Sequence, residues 1–172
     1  AAAAAATDAA TAPPMKLTSF TDYSLRVLIY LACEPGRRAT IAEIATAFEV
    51  SENHLTKVVH FLGQAGWLAT VRGKGGGMQL AREAGQIVVG EVVRQTEGAD
   101  LPAECFDRDG GNTCTIARVC RLHGVLQEAA DAFHAVLDRY TLADLVHNRT
   151  TLSRMLFIGR ERPETPARRQ PS

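Results

Sequence analysis

The sequence predicts a mainly α fold with a small β wing: a winged helix-turn-helix followed by a long helix built to pair with a second copy. Three observations predict it. Two short amphipathic stretches, Ile41–Phe48 and Leu55–Leu62, are separated by a tight polar turn. A glycine-rich hairpin signal, Gly73-Lys74-Gly75-Gly76-Gly77, then lies between two short β-prone runs. Finally, Leu122, Leu126, Ala129, Phe133, Val136 and Tyr140 step alternately by four and three residues, the seam of one helix lying along another.

Each element has a local cause. Residues 1–14 are mostly alanine and end in Pro13-Pro14, which reads as a disordered leader without an apolar face. Tyr23–Ala32 is an apolar helix entered through Ser19-Phe20-Thr21-Asp22 and stopped by Glu34-Pro35-Gly36. Thr40-Ile41-Ala42-Glu43 has capping-box spacing, so hydroxyl and carboxylate can each satisfy an orphan backbone donor. Ile41, Ile44, Ala45 and Phe48 form the apolar face that follows. Past the Glu49-Val50 turn, Ser51 can cap a helix whose buried face is Leu55, Val58, Val59 and Leu62. Short strands are expected at Trp67–Arg72 and Met78–Ala81, then a helix near Val88–Thr96 and a cysteine-bearing loop. Thr141-Leu142-Ala143-Asp144 reads as another helix start.

The resulting organisation is a leader (1–14), a winged helix-turn-helix (15–84), a linker helix with cysteine loop (85–121), a dimerisation helix with a following helix (122–147), and a C-terminal segment (148–172) ending in a flexible basic tail. At 172 residues, 46% apolar and 22% charged, the chain can build one compact core plus an oligomerisation element. The longest apolar run, Val27–Cys33, is far short of the roughly 20 residues a bilayer span needs. No secretory signal pattern is visible and the cysteines are sparse, so a reduced cytoplasmic protein without a membrane partner is expected. Net charge is zero, but residues 85–148 carry five Lys/Arg against ten Asp/Glu while residues 149–172 carry six against two. Nucleic-acid binding therefore depends on where cations cluster, not on the total.

With its apolar face turned inward, the second helix of the pair presents Ser51, Glu52, Asn53, His54, Thr56 and Lys57. Asparagine pairs bidentately with adenine, glutamate accepts from cytosine, and lysine reaches guanine or phosphate, so these groups suit a major groove. A solvated helix face is the commoner reading of any single polar residue; the two helices and wing together favour double-stranded DNA. In the wing, Arg72 and Lys74 supply phosphate or minor-groove contacts, and Gly75 and Gly76 allow close backbone approach. The glycines match neither a P-loop nor a dinucleotide fingerprint. No nucleophile–base set can be located, and His60 and His134 read as surface or packing residues, so an enzyme is not expected.

Cys105, Cys114 and Cys120 have eight and five residues between them, and no CxxC knuckle of a zinc site exists. Three thiolates on a long loop suit an iron–sulfur cluster whose fourth position is filled by another group, with Glu104, Asp107, Asp109 and His123 as local candidates. The alternative is three unrelated free thiols. Cys120 is expected near the start of the long helix, where exposed amides favour an anionic cluster. Cys33, in the apolar first helix, reads as a small core residue.

Met15-Lys16-Leu17-Thr18-Ser19-Phe20-Thr21-Asp22-Tyr23-Ser24-Leu25-Arg26, the Val71–Gly77 wing and Cys114…Cys120-Arg121-Leu122 resemble the iron–sulfur winged-helix transcriptional repressors. Phe20-Thr21-Asp22-Tyr23 and the closing run Leu137–Val146 look most like the nitric-oxide-sensing branch, and the resemblance covers about residues 15–157. It implies a homodimeric repressor holding one cluster per subunit, 4Fe–4S favoured over 2Fe–2S, bound by Cys105, Cys114 and Cys120. In that branch the fourth ligand comes from the partner chain, a place held here by Asp22; the cluster-assembly branch uses a histidine, and His123 sits at that spacing. Nitric oxide would attack the cluster and release the operator. The alternatives are the same fold sensing iron or cluster supply, and a cluster-free thiol redox regulator. Three departures stand out: the eight-residue gap exceeds the usual one, Glu49 replaces a common turn glycine, and the leader before Met15 has no counterpart.

Overall fold

In a computed structural model, residues 16–73, 75–98, 115–116 and 119–157 are described. The chain runs α1 (Ser19–Cys33), α2 (Ile41–Phe48), α3 (Glu52–Gln64), β1 (Leu68–Val71), β2 (Gly77–Leu80), a single 3-10 turn at Ala84–Gln86, α4 (Val89–Glu97), α5 (Arg121–Leu137), α6 (Leu142–Leu145) and α7 (Arg149–Leu156). This is the expected winged-helix head followed by a long helix.

α1 begins four residues before Tyr23, because Thr18 caps it and accepts from the Thr21 amide at 3.2 Å. The Thr40/Glu43 box forms in full: the Glu43 amide donates to Thr40 Oγ1 at 3.2 Å and the Thr40 amide to Glu43 Oε2 at 2.7 Å. Ser51 occupies the N-cap position of α3, but its hydroxyl makes no capping bond. Its carbonyl alone opens the helix, accepting from the His54 and Leu55 amides at 3.1 and 3.2 Å. Between α2 and α3, Glu49 is the only non-glycine residue with positive φ among those described, at φ 53° and ψ 43°. A left-handed turn at an L-residue costs about 1–2 kcal/mol.

The wing is an antiparallel pair in the register Leu68↔Leu80, Ala69↔Gln79, Thr70↔Met78, Val71↔Gly77; the first strand is one residue shorter at each end than the sequence suggested, and the second is shifted by one residue toward the N-terminus. A bridge absent from the sequence reading ties it to the head: Ala39 and Met78 exchange backbone hydrogen bonds of 2.9 and 2.8 Å.

α1 is the centre of the core. Val27, Leu28, Tyr30 and Leu31 pack with Ile44 of α2, Leu55, Val58, Val59 and Leu62 of α3, and Trp67, Leu68 and Met78 of the wing. Cys33 is buried there too, as expected. Ile87, Val92, Leu142 and Val146 extend the same cluster. α7, which the sequence did not suggest, closes it: the Phe157 ring meets Tyr30 edge-on at 5.0 Å and lies under the Arg37 guanidinium at 5.4 Å.

The end of α5 is laced to α4. The Val89 amide donates to the Tyr140 carbonyl at 2.9 Å, and Arg94 grips Asp138 with bonds of 2.7 and 3.0 Å. Gly90 leaves room for the Asp138 carboxylate at this crossing, and a Cβ there would displace it. No helix among the described residues is long and apolar enough to cross a membrane.

Candidate nucleic-acid interface and metal centre

The helical period of α3 divides its residues cleanly. Leu55, Val58, Val59 and Leu62 are buried, while Ser51, Glu52, Asn53, His54, Thr56 and Lys57 are all exposed around its first two turns. Thr56 donates its hydroxyl to the Glu52 carbonyl at 2.8 Å, so only its oxygen and methyl remain for a partner. His54 lies on Tyr23 of α1, the ring planes 20° apart and the centroids 6.2 Å apart. Arg26 holds its guanidinium 5.9 Å from the Tyr23 ring and 5.8 Å from that of Phe48, and pairs with Asp22 at 2.8 Å.

Beside this face the wing turns tightly, the Gly76 amide donating to the Gly73 carbonyl at 2.8 Å. A side chain at Gly76 would strike the Val71 carbonyl, and one at Gly77 the Ala39 carbonyl, so the glycines are fixed by backbone approach. Arg72 and Gly75 are exposed at the tip, with Gly76 half-buried behind them; Lys74 lies outside the described residues. Arg38 is an addition the sequence did not single out: it donates to the Gly75 carbonyl at 3.4 Å, placing another cation at the turn.

At the other pole, Cys120 is the N-cap residue of α5, half-buried and with no capping bond from its side chain. It stands where the sequence placed it, its sulfur uncommitted to the helix. His123 is three residues further on, exposed on the same face by helical spacing. Cys105 and Cys114, with Glu104, Asp107 and Asp109, lie outside the described residues. The donor types fit an iron–sulfur centre: thiolates are the ligands such clusters take, and the exposed amides of a helix N-terminus suit an anionic group bound there. No group of three or more metal-ligating side chains occurs among the described residues.

Asp22, in the first turn of α1, spends its carboxylate on Arg26 and is about half exposed. That turn is stitched to the end of α4, where the chain enters the cysteine segment. The Thr18 amide donates to Glu97 at 2.8 Å and the Thr21 hydroxyl to Thr96 at 2.8 Å. By contrast, burial pushes the Cys33 thiol above its usual range, which suits a core residue and not a ligand.

The seam positions of α5 are divided between exposed and half-buried. Leu122, Ala129 and Val136 are exposed, and Leu126 and Phe133 half-buried; Tyr140, expected to continue the seam, lies past the end of the helix at Leu137 and is exposed. Val125 adds to the apolar surface. His134, expected as a surface or satisfied packing residue, instead has a buried Nδ1 without a hydrogen-bond partner among the described residues.

Residues 17–148 match a family described as "Rrf2: Iron-dependent Transcriptional regulator". The chain is 51% identical over 143 residues to the HTH-type transcriptional regulator NsrR of Bacillus subtilis, covering 83% of this chain and 97% of that one. Its identity to the NsrR of Geobacillus kaustophilus is 47% over 143 residues, again 83% and 97%. Among solved structures it is similar to T. potens IscR, with a TM-score of 0.63 and 27% identity over 78% of this chain and 88% of that one. Similarity to CymR, the global cysteine regulator of B. subtilis, is comparable, with a TM-score of 0.62 and 29% identity over 78% and 98%.

Proposed function

The chain belongs to the Rrf2 family of transcriptional regulators, and from that premise we propose that it is a homodimeric, DNA-binding repressor whose iron–sulfur cluster senses nitric oxide. The observation that carries the DNA-reading half is the clean division of α3, four apolar side chains buried and six polar ones presented beside a glycine-tightened wing. Asn53 and Lys57 read base edges; Arg72, Lys74 and Arg38 hold phosphates. Pairing of two α5 seams sets the two α3 helices about 34–36 Å apart, or a multiple of it, on a two-fold operator.

Cys105, Cys114 and Cys120 are the thiolates that would hold the cluster, one per subunit and 4Fe–4S in preference to 2Fe–2S. When bound, the cluster supplies iron open to attack by nitric oxide at its weakest, non-thiolate ligand. The fourth ligand would be Asp22 of the partner chain, whose carboxylate lies against Arg26 at 2.8 Å and keeps lone pairs to offer a metal. Ligation by Asp22 would tie one chain's cysteine segment to the other chain's head, and loss of that tie would free the two heads from their common register. In a reducing cytoplasm the thiols remain available for this role, and no catalytic activity is involved.

A second reading, the same fold sensing iron or cluster supply, is favoured by one observation, the position of His123 on the Cys120 face of α5. Anaerobically purified Asp22→Ala and His123→Ala chains separate the two. Iron lost from Asp22→Ala and kept in His123→Ala supports the nitric-oxide reading, and the reverse supports the second. For DNA reading, the test is a gel shift on the chain's own promoter region, with Asn53→Ala and Lys57→Ala weakening the shift; a wild-type chain that shifts no promoter DNA contradicts the proposal.

A further inference from the structure

α3 begins without the device that normally holds a helix start. The Ser51 hydroxyl makes no capping bond, and Glu49, two residues before it in the turn, is in a left-handed conformation an L-residue resists. The first turn of α3 nevertheless carries the residues aimed at DNA. What holds it from outside is an aromatic and cationic bridge from α1. His54, the third residue of α3, lies nearly parallel to the Tyr23 ring, within the range of offset stacking. Arg26, one turn along α1 from Tyr23, stands over both the Tyr23 ring and the ring of Phe48, the last residue of α2. Asp22 fixes that guanidinium with bonds of 2.8 and 3.1 Å. The bridge thus spans the turn from α2 to α3, touching the last residue of one helix and the first turn of the next.

We propose that Tyr23 is a positioning residue for sequence reading: by stacking on His54 it fixes that imidazole, and with it the first turn of α3, in one orientation against the DNA. The inference rests on the DNA-binding reading above and deepens it. Two features favour a positioning role over packing alone. His54 is exposed, so burying the imidazole is not what the stack achieves. Tyr23 is half-buried at the rim of the core, which leaves one part of its ring on Phe48's neighbour Arg26 and another on His54. A free imidazole samples several rotamers; a stacked one has already given up that freedom and meets the base edge without the entropic cost.

The experiment selects binding sites from a random-sequence duplex library with the full-length, anaerobically purified chain and its Tyr23→Leu and Tyr23→Phe variants. Tyr23→Phe keeps the ring and should recover the wild-type site. Tyr23→Leu should lose roughly tenfold in preference at the base pairs read by the first turn of α3. Positions read by the wing, and affinity for non-specific DNA, should be unchanged. In a His54→Ala background Tyr23→Leu should add nothing, as a coupled pair requires. Equal site preferences for wild type and Tyr23→Leu would overturn the positioning role while leaving DNA reading intact. So would a Tyr23→Leu effect that persists undiminished without His54. A wild-type chain that selects no preferred site would overturn the DNA-reading function as well.

Discussion

α3 and α5 are both amphipathic, yet their surroundings differ. The 13 residues of α3 include four that are buried, so a single chain completes that helix's environment. The 17 residues of α5 include none, and Leu122 and Val125 are each 59% exposed. The C-terminal end of α5 is anchored through Arg94 on Asp138 and the Val89–Tyr140 hydrogen bond. The difference teaches where the chain is self-sufficient. The head is a finished core that presents polar groups, whereas α5 is an apolar rod whose cover must come from outside the described residues. A second copy supplies that cover in the proposed dimer, and the cysteine site lies at the rod's open end.

Breaking the rod should have the largest consequence. Leu126→Glu with Phe133→Glu should yield monomers in sedimentation analysis, with the head still folded and operator affinity reduced about 10²–10⁴-fold through lost bivalency. A dimer that survives both charges would show that α5 does not pair through this face. Breaking the head should instead cost stability: Leu55→Ala, at a fully buried position, should lower unfolding free energy by about 2–5 kcal/mol in urea titration. A smaller effect comes from relieving the turn. Glu49→Gly should raise stability by about 1 kcal/mol, because glycine adopts the left-handed conformation without a Cβ clash; destabilisation would mean the Glu49 side chain matters more than its backbone. The smallest effect concerns pH. Hydrogen bonding from Arg94 holds the exposed Asp138 carboxyl below the ordinary range, and bonds from Thr141 do the same for Asp144. A folded-state pKa lowered in this way contributes stability above the unfolded value and loses it as pH falls through the folded one. Thermal midpoints should therefore fall below about pH 4, and less steeply in Asp138→Asn.

The head was legible because its signals are local. The Thr40/Glu43 and Thr141/Asp144 boxes sit three residues apart and form as spaced, and the Leu55–Leu62 face follows one helical period. What escaped reading is long-range. α7 has only Leu152, Met155 and Leu156 as apolar residues, and it docks through its C-cap Phe157 against Tyr30, far away in sequence. The Ala39–Met78 bridge and the Tyr23–His54 stack likewise join segments with no shared period. Ser51 misled for the opposite reason: a favourable capping residue stood at the right position, but the backbone carbonyl did the work of opening the helix and the hydroxyl stayed out of it. The sequence placed Cys120 at the start of α5, where it is found; Cys105 and Cys114 lie outside the described residues, and the role proposed for them rests on donor chemistry and family.

The most direct test of the central claim follows iron and operator binding in one sample. The iron-loaded, anaerobic chain is titrated with nitric oxide while its visible charge-transfer absorption and its grip on operator DNA are recorded together. Both should fall in step, and Asp22→Ala, lacking the partner ligand, should start with weakened iron retention and weakened binding. Cluster absorption that disappears while operator affinity stays unchanged would contradict the claim, as would a colourless, iron-free chain that binds the operator at full strength.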